Sequence, residues 1–260
     1  NGSGIAGHGA IRNVSGNNSI SGNTTLASAT TLGSDANTLT MSGIISGAQN
    51  MTVTGAGTVK FTGNNTYSGS TTINGTLEAG AAGALGGTSG IVLNTGGTLL
   101  FSGVGNRVRD LATFNFAGGN LKGSDLTEAM GALTLSANST LDFVKDATRG
   151  DITFASGLLS GTPVLTINNW SGKIYAGGTD DRLFMTVAPT QAFLDSIQFT
   201  GFNRGAYWIP GTGEIVPVPE PGTILAATAL LLLLGLQVLS ENHSYVPALV
   251  GALRRRRPRR

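Results

Sequence analysis

The sequence predicts an all-β body, a right-handed parallel β-helix (a β-solenoid) with a C-terminal cap, followed by a single C-terminal transmembrane helix. Three observations predict it. Between residues 38 and 103, short strands of four to six residues recur, each closed by a Ser-Gly, Thr-Gly or Asn-Gly corner. Within them apolar and hydroxyl side chains alternate, the period of a strand with one buried and one wet face. Near the end of the chain an uncharged apolar run, 223–239, precedes a cluster of arginines.

Composition narrows the class. Forty glycines and eight prolines stay below the range of low-complexity disorder. The absence of cysteine excludes a disulfide framework and thiolate chemistry, which suits an exported or a cytosolic protein alike. The net charge of +2 is a property of the tail, because residues 1–216 carry ten basic against twelve acidic side chains. A nucleic-acid footprint needs clustered Lys and Arg on the folded body, so no nucleic-acid partner is expected. The chain begins at Asn1 without a basic n-region and apolar h-region, and the expectation is a fragment of a longer protein.

The repeat region comes first. Alternation places Leu39, Met41, Val53, Val59, Phe61 and Ile73 on one face and Thr and Ser on the other. Glycine and asparagine adopt left-handed conformations that turn the chain at each corner. Short strands with frequent corners suit a solenoid, where each coil hides its apolar row against its neighbours. A barrel or sandwich would need longer strands and regular hairpins. At roughly 20 to 25 residues per coil, residues 1–150 hold about six or seven coils.

One stretch carries a family signature. Gly55-Ala56-Gly57, the strand Thr58-Val59-Lys60-Phe61, the turn Asn65-Thr66-Tyr67-Ser68-Gly69, Ser70-Thr71-Thr72-Ile73 and Gly75-Thr76-Leu77 follow one another in residues 54–77. This resembles the autotransporter-associated β-strand repeat, a family of secreted β-helical surface proteins. The resemblance implies no catalytic residues. The repeat region is expected over residues 1–160.

Charge then rises, with Arg107, Arg109, Asp110, Lys122, Asp125, Glu128, Asp142, Lys145, Asp146, Arg149 and Asp151, all expected on loops and outer faces. After Pro163 both tryptophans appear, Trp170 and Trp208, together with a helix that Thr190 can N-cap and that places Phe193, Leu194 and Ile197 on one side. Residues 161–209 are therefore expected to be the cap and 210–217 a linker.

The tail, 218–260, combines three parts. Pro219 and Pro221 flank Glu220 and hold an extended backbone that a processing enzyme can grip. The run 223–239, at about 1.5 Å per residue, spans roughly 25 Å as a helix, near the lower limit for a bilayer. Arg254, Arg255, Arg256, Arg257, Arg259 and Arg260 bind anionic headgroups and resist translocation, which keeps that end cytoplasmic. The order resembles the PEP-CTERM sorting signal of Gram-negative bacteria. The resemblance implies Val218, Pro219, Glu220 and Pro221 as the sorting and processing motif. It also implies the inner membrane and an exosortase-type enzyme as partners, and extracellular polysaccharide as an associate. Residues 170–217 resemble the segment that often precedes this tag. One departure stands out: residues 240–253, including Glu241 and a second apolar run, separate the helix from the arginines.

Chemistry on the body is sparse. His8 is the only histidine before the tail and lies in a glycine-rich run, so a nucleophilic triad and a His/Cys metal site are not expected. No cofactor is expected. Asp142, Asp146 and Asp151, or Asp180 and Asp181, could supply carboxylates to Ca²⁺ or to a polysaccharide lyase or hydrolase. The first hundred residues, however, hold only four charged side chains, Arg12, Asp35, Lys60 and Glu78. The expected function is an exported, non-enzymatic surface or matrix protein with an adhesive role. The rivals are a carbohydrate-active β-helix enzyme, a plain membrane-anchored surface protein and an autotransporter passenger. The last normally requires a C-terminal membrane barrel.

Overall fold

A computed structural model of the chain describes residues 1–103, 105–123, 127–144, 149–174 and 180–219. Residues 1–218 form one compact unit. Its strands wind as an all-β, right-handed parallel solenoid of about 7 turns.

Each coil contributes one strand to each of two long parallel sheets. The first has eight strands, from Ile11–Asn13 to Gly157–Leu159, and the second nine, from Asn18–Ile20 to Ile197–Phe199. In the first sheet Leu32 lies opposite Val53, Val53 opposite Ile73 and Ile73 opposite Leu93, steps of 20 or 21 residues. The expected coil length is therefore observed. All six residues expected on the inner face are buried. They join a continuous core with Phe101, Phe114, Phe116, Leu135 and Phe154. Burying each large apolar side chain stabilises by roughly 1.5–3 kcal/mol.

The corners use the residues the sequence offers. Asn37 has φ 59° and Gly55 φ 103°. A Cβ at Gly55 would collide with the carbonyl oxygen of Ser34 on the coil before it. The third side of the first coils has little strand, and asparagine supplies the missing rungs. The Asn23 carboxamide oxygen accepts from the Ile44 amide (3.0 Å) and that of Asn65 from the Ile45 amide (2.8 Å). Buried Asn65 also donates to the Ala84 carbonyl at 2.8 Å, so one side chain ties together three coils.

Parallel pairing continues beyond residue 160, where the cap was expected to begin. Leu165–Asn168 pairs with Ser139–Asp142, and Arg182–Met185 pairs with Asp151–Phe154. The covering elements come later. The helix Gln191–Asp195 buries Phe193 and Leu194, and the Thr190 hydroxyl accepts from the Phe193 amide at 3.3 Å, as expected. Thr190→Ala is expected to lower stability by about 1 kcal/mol, read by denaturant unfolding. The third sheet ends in antiparallel strands, with Glu214–Val218 between Arg182–Met185 and Asn203–Trp208. Half of the expected linker 210–217, from Glu214 on, is thus strand. Among the described residues no helix is long and apolar enough to cross a membrane. The run 223–239 lies outside them.

Candidate functional site

Of the expected sorting residues, Val218 ends the last strand and pairs with Asn203, and Pro219 follows it. Glu220, Pro221, Arg254, Arg255, Arg256, Arg257, Arg259 and Arg260 lie outside the described residues.

The body presents ordered rows of hydroxyls. In the second sheet the half-exposed Thr38, Thr58, Thr76 and Thr98 stand opposite one another in successive coils; after Asn120 the row resumes with Thr140 and Thr166. Thr31, Thr52 and Thr72 form a shorter row on the first sheet. Successive members stand about 4.8 Å apart, the spacing of neighbouring strands. The sequence forces this arrangement. Each Thr precedes or follows an inward residue, and a fixed register stacks like on like.

The four charged residues of the first hundred form two cross-coil ion pairs. Arg12 pairs with Asp35, and this hydrogen bond holds the Asp35 carboxyl below the ordinary carboxylate range. The Lys60 ammonium sits 2.7 Å from Glu78, its register partner, and Ser102 donates to the same carboxylate at 2.5 Å. His8 is an exposed residue of the N-terminal loop.

Among the described residues, two of the later charges, Arg107 and Glu128, depart from expectation. Arg107 and Glu128, expected outside, form a fully buried ion pair at 3.0 Å. The guanidinium also donates to the carbonyls of Ser102, Gly103 and Gly105, and the carboxylate accepts from the amides of Arg107 (2.7 Å) and Val108 (3.3 Å). Burial pushes the Glu128 carboxyl up, against the lowering effect of those hydrogen bonds. The planar guanidinium, with five donors, can serve these three carbonyls and the carboxylate together.

Among the described residues, Asp142 and Asp151 stand on different sheets. Asp142 belongs to the second sheet and accepts from the Val144 amide (2.9 Å) and Asn169 (2.7 Å). Asp151 belongs to the third sheet and is gripped by Arg149 and Arg182. Burial pushes its carboxyl up, but the two guanidinium hydrogen bonds prevail and hold it below the usual range. Asp146 lies outside the described residues. Asp181 is buried, and its carboxylate accepts from the Gly150 amide (2.8 Å) and the Ser171 hydroxyl (2.7 Å). Among the described residues no group of three or more His, Cys, Asp or Glu could hold a metal ion.

The repeat residues are themselves structural. The buried Tyr67 hydroxyl lies 2.7 Å from the Thr71 hydroxyl, which contacts Thr88 at 3.0 Å. Burial pushes the Tyr67 phenol up. This turn falls within residues 51–79, which match the family model described as the passenger-associated-transport-repeat. No curated protein and no solved structure matches the chain. The repeat and the solenoid together fit an autotransporter-like surface passenger domain and suggest export to the cell surface.

Proposed function

We propose that the chain is an exported, non-enzymatic cell-surface or extracellular-matrix protein, whose solenoid adheres to polysaccharide and whose tail acts as a PEP-CTERM-type sorting signal. The row Thr38, Thr58, Thr76 and Thr98 carries the adhesive part of this reading. A hydroxyl both donates and accepts, so the row offers a polyhydroxyl chain a matched series of hydrogen bonds. It is held rigid by the sheet, so little side-chain freedom is lost on contact.

The order of Val218, Pro219, Glu220 and Pro221, the apolar run 223–239 and the terminal arginines supports the tail part. In this reading the inner membrane holds the precursor through that run, and an exosortase-type enzyme cuts near Pro219. Mass spectrometry of the mature C-terminus in the producing host is expected to find Arg260 removed. A product that retains it would leave a plain membrane anchor.

Replacing Thr58 and Thr76 together with valine keeps shape and removes two hydroxyls. Retention of the chain on the polysaccharide of the producing host is expected to fall about fivefold or more, with an unchanged unfolding midpoint. Unchanged retention would count against adhesion through this row.

A further inference from the structure

The three parallel strands of the third sheet form a groove of a different character from the threonine rows. Glu128–Met130, Asp151–Phe154 and Arg182–Met185 pair in parallel, which sets Ala129, Thr153 and Phe184 in one outward row. Two adjoining hollows, of about 510 and 580 Å³, share Asp151 and Thr153. The first is walled by Gly105 and Asn106 and the second by Trp208 and the turn after it. The floor is small at one end and aromatic at the other, and runs across the strands along the coil axis, about 10 Å from first rung to third.

Its polar groups are planar and immobilised. Asp151 receives Nε of Arg149 at 2.9 Å and Nε of Arg182 at 3.3 Å, besides one Nη of each. The Arg182 guanidinium also stands 4.8 Å from the centroid of the Phe184 ring. Nε1 of Trp208 donates to the Met185 carbonyl at 2.9 Å, which fixes the angle of a half-exposed indole. The two guanidinium groups are matched or outnumbered by carboxylates: Asp151 lies between them, and Asp180 and Glu214 also act on Arg149. Such a site has no excess field to gather a polyanion. It offers fixed donors and acceptors beside apolar ring surface, the complement of a sugar, whose hydroxyls need both and whose C–H faces pack on aromatic rings.

We infer that this groove is a binding site for a linear neutral saccharide, laid along the solenoid axis between Asn106 and Trp208. The inference rests on the polysaccharide-facing reading above for the choice of a sugar, and it assigns to the groove what that reading assigns to the threonine row.

The test titrates the full chain, in detergent, with a panel of neutral hexasaccharides and with hexagalacturonate, by calorimetry at low and high salt. At least one neutral hexasaccharide is expected to bind with an affinity insensitive to salt. Trp208→Ala and Asp151→Asn are each expected to weaken it about tenfold, while the Thr58→Val/Thr76→Val chain binds the same hexasaccharide as before. Phe184→Leu, which keeps apolar volume and removes the ring, separates binding from folding if either variant lowers the unfolding midpoint; it too is expected to weaken binding. Preference for hexagalacturonate that fades with salt would overturn the neutral ligand. Failure of the whole neutral panel, with retention on polysaccharide still lowered by the threonine variant, would overturn the groove and leave the adhesive reading standing. Loss of both would sink the two together.

Discussion

Glu128→Ala is expected to lower the stability of the body by about 3–5 kcal/mol, because it leaves the Arg107 guanidinium charged, buried and without its carboxylate. The measurement is denaturant unfolding of the full chain, followed by far-ultraviolet circular dichroism. The double replacement of Arg107 and Glu128 by methionine is expected to recover part of the loss, since both charges go together, but not the bonds to the carbonyls of Ser102 and Gly105. The pair also sets a pH dependence. Folding raises the Glu128 carboxyl above its ordinary value of 4.5, so the folded state holds this proton more tightly. The contribution of this group is therefore fully present below about pH 4.5 and declines as pH rises through the folded value. Glu128→Gln, which cannot titrate, is expected to flatten that part of the profile.

Phe116→Ala is expected to cost about 3–5 kcal/mol, the sum of lost burial and the cavity left behind. Phe116 is fully buried, packs at a tilt against Phe114 with ring centroids 4.8 Å apart, and lies opposite Leu93 and Leu135 on the coils to either side. In a solenoid each coil is supported only by its neighbours, so a defect in the middle divides the stack. Unfolding is expected to broaden or split into two transitions, whereas Thr98→Ala, on the outside of the same stack, shifts it little. A single unbroadened transition with a small shift would show that the coils do not depend on this layer.

What the sequence made legible was local and periodic. Leu39-Thr40-Met41 and Met51-Thr52-Val53 declare their inner face by alternation alone, and Thr190 declares a helix start by its position before Phe193. The arginine–glutamate pair was illegible, because Arg107 and Glu128 stand 21 residues apart and only the winding of the coil brings them together. The boundary of the cap was misplaced for a related reason. Leu165–Asn168 and Arg182–Met185 sit among tryptophans and long connections that disturb the repeat, yet pairing with the preceding coil keeps them in register. The expected linker 210–217 ends in Pro217, which lacks an amide donor and yet lies in a strand. It is accommodated because pairing with Arg182–Met185 reaches only Glu214 and Ile215, so at Pro217 the strand has one partner. The groove was missed because Asp151, Arg182 and Trp208 come from three separate segments with no common motif; the one usable signal was an aromatic at the alternating, outward position of Arg182-Leu183-Phe184.

The strand Glu214–Val218 has a mechanical consequence. Glu214 and Ile215 are clasped between two antiparallel neighbours, while the segment beyond them, where the body ends, pairs with Asn203–Trp208 alone. A pull on Pro219 is resisted first by the hydrogen bonds of this strand, and the load passes through Leu183 and Trp208 into the final coil. Traction on the tail therefore tests the strength of a woven hem before it reaches the fabric behind it.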